Sequence, residues 1–262
     1  MWDIPYREVL WNQAALSWLV EGVFGIPWSH YVGSAESGFA IEAMTRILGG
    51  ILIFCAIVAA LSSRLPRRWG AALYVGAGIV STVAVMTFLE RTFEFAMLME
   101  FAAQISAPIL LYSLIHGRMS PDRLAFWMKA AIALTFAGHG FYALGIYPVP
   151  AQFIDMIIGV LGTNETQARA LLQFAGAMDL IIAVAIFVPS LQTPALTYAV
   201  VWGLLTTSAR PLAHIDAGSG FESVIYWMAQ ALYRFPHAGL PLCILIASHA
   251  HFKLIYTNGT RA

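Results

Sequence analysis

The sequence predicts an all-α integral membrane protein with about seven transmembrane helices. Hydrophobic residues make up 60% of the 262 residues, charged residues make up only 11%, and the mean hydropathy is +0.74. A soluble domain carries about a quarter charged residues, so this composition indicates a chain surrounded by the lipid bilayer. The net charge of zero argues against nucleic acid as a partner, because nucleic-acid binding needs a basic surface.

The predicted spans follow from the lengths of the apolar segments, since a bilayer crossing needs about 20 mostly apolar residues. Seven segments qualify: 38–62, 69–89, 92–116, 123–147, 167–188, 193–210 and 224–252. The weakest is the short sixth segment, which begins at Pro194 and ends before Pro211. The seventh is too long for one straight helix, and its prolines at 236 and 241 predict a break after an interfacial stretch at 221–234.

Two further segments are predicted to lie along the outer membrane surface. Four of the eight tryptophans fall in the first 28 residues, and tryptophan favours the boundary between lipid and water. The stretch 149–162 has a similar amphipathic pattern. We expect both segments to anchor the protein, with a lid over a binding pocket as the alternative.

Basic residues predict the orientation. They cluster in the turns after the first and third spans and in the C-terminal tail: Arg64, Arg67, Arg68, Arg118, Arg123, Lys253 and Arg261. With seven spans all of these regions share one side, which the positive-inside rule makes cytoplasmic. The N-terminus is then outside and the C-terminus is in the cytoplasm. Asp122 is the one acidic residue assigned to the cytoplasmic side.

The two halves of the chain resemble each other. The segment 36–61 echoes 164–188, which aligns Gly49 with Gly176, and the pair Phe93-Glu94 recurs as Phe221-Glu222. The echo raises the hypothesis of two related helical units in parallel orientation, joined by a linking span. Residues 1–262 would then form one transmembrane domain. Its first part, 1–120, would hold an interfacial helix and three spans, and its second part, 121–262, would hold four spans.

Ionisable residues inside the spans are the candidate functional residues, because a charge in hydrocarbon costs several kcal/mol unless it is paired or wetted. Three of them are predicted to be catalytic: Glu100, His139 and Asp179. Asp179 lies near the middle of its span with no basic residue in its own helix turn, so it needs a partner from elsewhere. His139 lies between Gly138 and Gly140, which let another backbone or a flat ligand approach.

Five more residues are predicted to bind a cofactor near the outer side: Glu42, Arg46, Arg210, His214 and His237. A guanidinium such as that of Arg210 suits a carboxylate, a phosphate or a quinone carbonyl, and snorkelling toward lipid headgroups is the alternative. Glu42 and Arg46 are four residues apart and can meet on one helix face. A local ion pair that eases insertion is the alternative for them.

Metal binding is not predicted, because no helix supplies two ligands at a spacing of three or four residues from this group. Haem b would need two histidines on facing helices. His139 with His214 or His237 could supply them, but nothing in the sequence requires it. Cys55 and Cys243 stand alone in apolar segments, so neither a disulfide framework nor a thiol relay is predicted.

The fourth and fifth spans resemble a known family. The segment from Lys129 to Pro150, with Gly138-His139-Gly140 followed by Tyr142, resembles the first helix of DoxX-like membrane proteins. The segment LLQFAGAMDLIIAVAIFVP resembles their second helix, with Asp179 where the family usually has a glutamate. The resemblance covers about 123–252, and it makes the first half a partial, diverged copy.

The resemblance implies a protein of the bacterial cytoplasmic membrane that is tied to redox systems. DoxD-like relatives are subunits of a quinone-reducing thiosulfate oxidoreductase. We therefore expect a redox-associated, quinone-interacting subunit with a polar pocket open to the outer face, which would act within a larger membrane complex rather than as an enzyme alone. A non-catalytic anchor of such a complex is the alternative, and a small-molecule or lipid transporter is a third hypothesis.

Overall fold

The computed structural model describes residues 9–216 and 218–259, including all of their side chains except those of Ala15 and of residues 249–259. Trp2 and the C-terminal Arg261 therefore lie outside the described residues. Within this part of the chain the regular structure is entirely helical, which confirms the predicted all-α class. Five helical segments are long and apolar enough to cross a membrane: Ala35–Leu61, Arg67–Glu90, Phe95–Ile115, Pro121–Ala143 and Glu165–Ala185. The chain is a multi-pass membrane protein, and these segments correspond to the first five predicted spans.

The described helices are numbered in chain order. They are α1 (Gln13–Val20), α2 (Trp28–Gly33), α3 (Ala35–Leu61), α4 (Ala71–Glu90), α5 (Phe95–Glu100), α6 (Ala102–Ile115), α7 (Pro121–Ala143), α8 (Ala151–Leu161), α9 (Glu165–Ala185), α10 (Gln192–His214), α11 (Phe221–Arg234) and α12 (Pro236–Gly259). A 3-10 turn, Arg67–Gly70, precedes α4.

Polar caps set the starts of three long helices. The Ser34 hydroxyl accepts a hydrogen bond from the backbone of Ser37 at the start of α3. Ser120 plays the same role at α7, where Pro121 occupies the first helical position. At α9, Asn164 and Gln167 form a reciprocal capping box. These caps satisfy N–H groups that would otherwise lack partners at the helix ends.

The structure corrects some of the predicted boundaries. The third predicted span is interrupted at Phe101, which separates α5 from α6, and the Ala103 N–H that follows donates to the Thr135 hydroxyl at 2.9 Å. Helix α10 continues past Pro211 as far as His214. The predicted break between an amphipathic stretch and the last span is confirmed, because α11 ends at Arg234 and α12 begins at Pro236.

Four helices, α7, α9, α10 and α12, form a closed ring in which each packs against the next. The residues that fill the ring are mostly small or branched: Ala131, Ile132, Phe136, Ile182, Ile186, Leu196, Ala199 and Leu240. Helices α5 and α6 pack on the other side of α7, α4 packs on α6, and α3 packs on α4.

The amphipathic helices α8 and α11 pack against the ring, α8 on α9 and α10, and α11 on α10 and α12. They define the histidine end of the bundle, where α7 ends and α9 and α12 begin. The opposite end carries the 3-10 turn and the α6–α7 connection and is called the arginine end.

Candidate functional site

Polar side chains from five helices converge inside the bundle toward the histidine end. Four of them are buried: Glu100 of α5, Asp179 of α9, Arg210 of α10 and His237 of α12. They surround His139 of α7. All five belong to the residues that were singled out from the sequence, so the fold brings together most of the predicted site.

His139 is held by hydrogen bonds at both ring nitrogens. Its Nδ1 lies 2.8 Å from the Thr135 carbonyl oxygen, and its Nε2 lies 2.8 Å from an Arg234 guanidinium nitrogen. A carbonyl can only accept and a guanidinium can only donate. His139 is therefore neutral in this arrangement, with its proton on Nδ1, and its Nε2 is not free to ligate haem iron.

Glu100 reaches His139 because α5 packs closely on α7. A Cβ atom at Gly138 would lie 2.7 Å from the Ala96 carbonyl oxygen and 2.9 Å from the Glu100 nitrogen, so only glycine permits this approach. Glu100 Oε1 then lies 3.6 Å from His139 Nε2. The prediction that small residues beside His139 admit another backbone is confirmed on this side of α7.

Gly140 admits a second helix on the adjacent side. A Cβ atom there would lie 2.9 Å from the Gly176 carbonyl oxygen of α9. Asp179 follows Gly176 by three residues and so lies one turn along the same face. Asp179 is 3% exposed, its carboxyl group interacts with Tyr198 and Trp202 of α10, and its Oδ1 has no hydrogen-bond partner among the residues that the structure describes.

His237 meets the ring from α12. Its Nδ1 donates to the Arg234 carbonyl oxygen at 2.6 Å, and its ring lies edge-on to His139 at 5.1 Å between centroids. Its Nε2 is buried and has no partner in the described part of the chain. A Cβ atom at Gly203 would lie 2.9 Å from the His237 carbonyl oxygen, so a glycine again sets the approach of two helices.

A cavity of about 30 Å³ lies between these helices and is lined by Asp179, His139, His237, Arg234 and Trp202, among others. This volume admits one or two water molecules, since a water needs roughly 10–15 Å³ of such space. Two polar atoms of the lining residues, Asp179 Oδ1 and His237 Nε2, are buried and lack a partner within the described residues. The cavity is therefore a water-sized space with several polar residues in its lining rather than a pocket for a ring.

Arg210 completes the cluster from α10. It is only 4% exposed, its Nε has no hydrogen-bond partner within the described residues, and its charge lies near Glu100 and Arg234. A snorkelling arginine would be exposed, so the snorkelling alternative is wrong. His214, one turn further along α10, lies against the Trp227 ring of α11 at 3.7 Å between centroids.

Two predicted cofactor-binding residues do not join the cluster. Glu42 and Arg46 lie on α3, which packs mainly on α4, and they pair with each other at 2.6 Å with exposed side chains. The assignment of Glu42 and Arg46 to a cofactor site is therefore corrected, and the local ion pair is what the structure shows. The reason is the lateral order of the helices, which places α4 and α6 between α3 and the ring.

Sequence reasoning missed Arg234, which contacts His139 across 95 positions of the chain. The available signal was its place at the end of an amphipathic stretch just before Pro236 and His237. Nothing in that signal shows which way the side chain points. Trp202, Gly203 and Thr206 were also missed, because an apolar or hydroxyl-bearing residue within a span is ordinary packing material.

No group of three or more potential metal-ligating side chains occurs within the described ranges. Comparisons with protein-family models, curated proteins and solved structures find no match for this chain. The DoxX-like resemblance therefore stays a prediction, and we argue function from the geometry of the cluster.

Proposed function

We propose that this protein is a redox-associated subunit of the bacterial cytoplasmic membrane whose buried cluster transfers protons in a quinone-linked reaction. The observation that carries the proposal is the cavity shared by Asp179 and His237. Both residues line this water-sized space, and each also has a buried polar atom without a hydrogen-bond partner within the described residues. A carboxyl group and an imidazole joined through one water are a suitable pair for proton transfer.

The hydrogen bonds give this transfer a direction. Because the Nδ1 proton of His237 is donated to a carbonyl oxygen, its Nε2 is an acceptor. A water in the cavity can donate to that nitrogen while accepting a proton from Asp179. His139 cannot take this role while its Nε2 accepts from Arg234, so it orients the guanidinium instead.

The guanidinium groups near Glu100 account for the substrate class. Arg210, Arg234 and Arg91 all lie near this buried carboxylate, and none of the three forms an ion pair with a carboxylate within the described residues. An unmatched guanidinium favours a carbonyl oxygen that gains negative charge, as a quinone oxygen does on reduction. A quinone ring does not fit the 30 Å³ cavity. We therefore propose that the cavity holds the water that transfers the proton, and that a guanidinium group binds the quinone carbonyl oxygen.

The closed ring supports the full proposed topology. Helix α10 and the described apolar part of α12, Pro236–Ser248, fall outside the five segments that qualify as spans by length and composition. They nevertheless close the ring with α7 and α9. We propose that both cross the bilayer, which gives seven spans, an outer histidine end and a cytoplasmic arginine end that agrees with the positive-inside rule.

The alternative is a non-catalytic anchor subunit, which the exposure of α3 favours. Its apolar side chains Phe39, Ile47, Ile53 and Ile57 are all exposed, so lipid or a partner helix must cover them. An anchor would need no proton at Asp179, which separates it from the first proposal.

Infrared difference spectroscopy during reduction of a bound short-chain ubiquinone tests the proposal. We expect a carboxylic acid signal that is lost in Asp179→Asn and retained in Asp155→Asn, whose exposed carboxylate lies on α8. Asp179→Leu is expected to abolish the response while the protein still purifies as an intact assembly. A signal that is unchanged in Asp179→Asn, or wild-type protein that does not bind the quinone, would contradict the proposal.

A further inference from the structure

The arginine end of the bundle contains a second polar site, far along the helices from the histidine cluster. A cleft of about 380 Å³ opens between the 3-10 turn, the start of α4 and the end of α6. Its lining includes Arg67, Arg68, Arg118, Tyr74 and Tyr112 and no acidic residue. None of these arginines forms an ion pair with any residue in the described ranges.

Tyr112 lies beside two of the arginines. Its ring is buried, and the side chains of Arg67 and Arg118 both lie close enough to interact with its phenol group. These arginines come from separate segments of the chain, and the tyrosine is their shared neighbour. A Cβ atom at Gly70 would overlap the Tyr112 ring, so the glycine is what lets the ring lie across the turn.

Aromatic packing makes this corner rigid. Tyr112 lies edge-on to Tyr74 at 5.2 Å and to His116 at 4.6 Å between ring centroids. Its aliphatic neighbours are Val58 of α3 and Leu73 of α4. Three helices therefore hold the floor of the cleft, and the arginines are presented from a preformed surface.

Apolar side chains are exposed on the same three elements that line the cleft. Trp69, Val75 and Leu114 are all exposed on the turn, on α4 and on α6, and both helices belong to segments that qualify as membrane spans. A ligand in the cleft thus has cationic groups around one part and lipid-facing helices beside the other. This arrangement suits a molecule with an anionic head and hydrocarbon chains.

We propose that this cleft binds the phosphate headgroup of an anionic phospholipid, with its acyl chains along α4 and α6. Guanidinium groups bind phosphate oxygens in bidentate geometry, and basic pockets between transmembrane helices bind such headgroups. The volume lies within the range of about 300–1,000 Å³ that is usual for small-molecule sites. Soluble phosphate compounds share the anionic chemistry, but they would make no use of the bordering apolar faces.

Native mass spectrometry of the full chain in detergent tests this site with three probes: phosphatidylglycerol, phosphatidylcholine and inorganic phosphate. We expect phosphatidylglycerol to bind preferentially and the Arg67→Gln/Arg118→Gln double variant to lose about 25-fold in affinity, from about fivefold per arginine. Arg123→Gln, on α7 outside the cleft lining, should bind like wild type.

Tyr112→Phe keeps the ring but removes the phenol oxygen, so it tests positioning without disrupting the packing. We expect it to fold, to elute as wild type does and to bind phosphatidylglycerol several-fold more weakly. The proposal is overturned if the double variant binds phosphatidylglycerol as tightly as wild type does. It is also overturned if inorganic phosphate displaces the lipid at equal concentration, because the site would then recognise a soluble phosphate group.

Discussion

Helices α3 and α9 correspond in the internal echo of the sequence, yet they lie in opposite environments. On α9, Gly176 lies against α7, where an added Cβ would meet Ala143 at 2.9 Å and the Gly140 carbonyl oxygen at 3.0 Å. On α3, no described atom lies within 4 Å of a Cβ added at Gly49. The same local pattern therefore produces a packed helix in one half of the chain and a peripheral helix in the other.

The order of helix contacts repeats between the halves, since α3 packs on α4 and α4 on α6, as α9 packs on α10 and α10 on α12. The difference is α7, which packs against α9 and α12 to close a ring, whereas α3 lies outside it. The burial of the carboxylates differs between the halves in the same way. Asp179 is buried in the ring, while Glu42 is exposed and pairs with its own helix neighbour. A buried site forms only where α7 supplies the missing wall.

The largest expected effect comes from enlarging Gly176, with the corresponding Gly49 as the comparison. Gly176→Leu would drive a branched side chain into the backbone of α7, and overpacking alone typically costs about 1–3 kcal/mol. With backbone contacts this close we expect more, on the order of 4 kcal/mol, seen as a large loss of thermal stability by fluorescence-detected size-exclusion chromatography. Gly49→Leu is the matched control and should change stability by at most about 0.5 kcal/mol. Equal losses in the two variants would show that α3 is packed as tightly as α9.

A second contrast concerns two glutamates. Glu100→Gln removes a buried carboxylate whose charge offsets those of nearby Arg210 and Arg234, and leaving a buried charge uncompensated costs about 3–5 kcal/mol. Because glutamine still fills the space, we expect the lower end, about 3 kcal/mol. Glu42→Gln, on exposed α3, should cost less than about 1 kcal/mol. Thermal unfolding of both variants in one detergent measures the difference, and a stable Glu100→Gln protein would mean that the arginines do not depend on that carboxylate.

The helices were more predictable than their arrangement. Apolar length and proline position mark the first five spans and the break before Pro236, because both are local signals. Phe101 carries no such signal, and the interruption there arises from the approach of α5 to Gly138 and from the Thr135 hydroxyl, which belong to α7. The same holds for the site. Charge inside a span identified Glu100, His139 and Asp179. To see that Arg234 belongs to the site and Glu42 does not, one needs the lateral order of the helices, which no single helix encodes.

The smallest expected effect is the coupling between Glu42 and Arg46, and it sharpens the contrast between the two regions. The pair is short, at 2.6 Å, but the side chains are 40% and 75% exposed, so water or detergent headgroups screen it. A double-mutant cycle with Glu42→Gln and Arg46→Gln should give about 0.3–0.5 kcal/mol, as for other pairs four residues apart on a helix. A coupling several times larger would mean that the pair is shielded in the folded assembly. Helix α3 would then have a protein neighbour on the face that is open in the single chain.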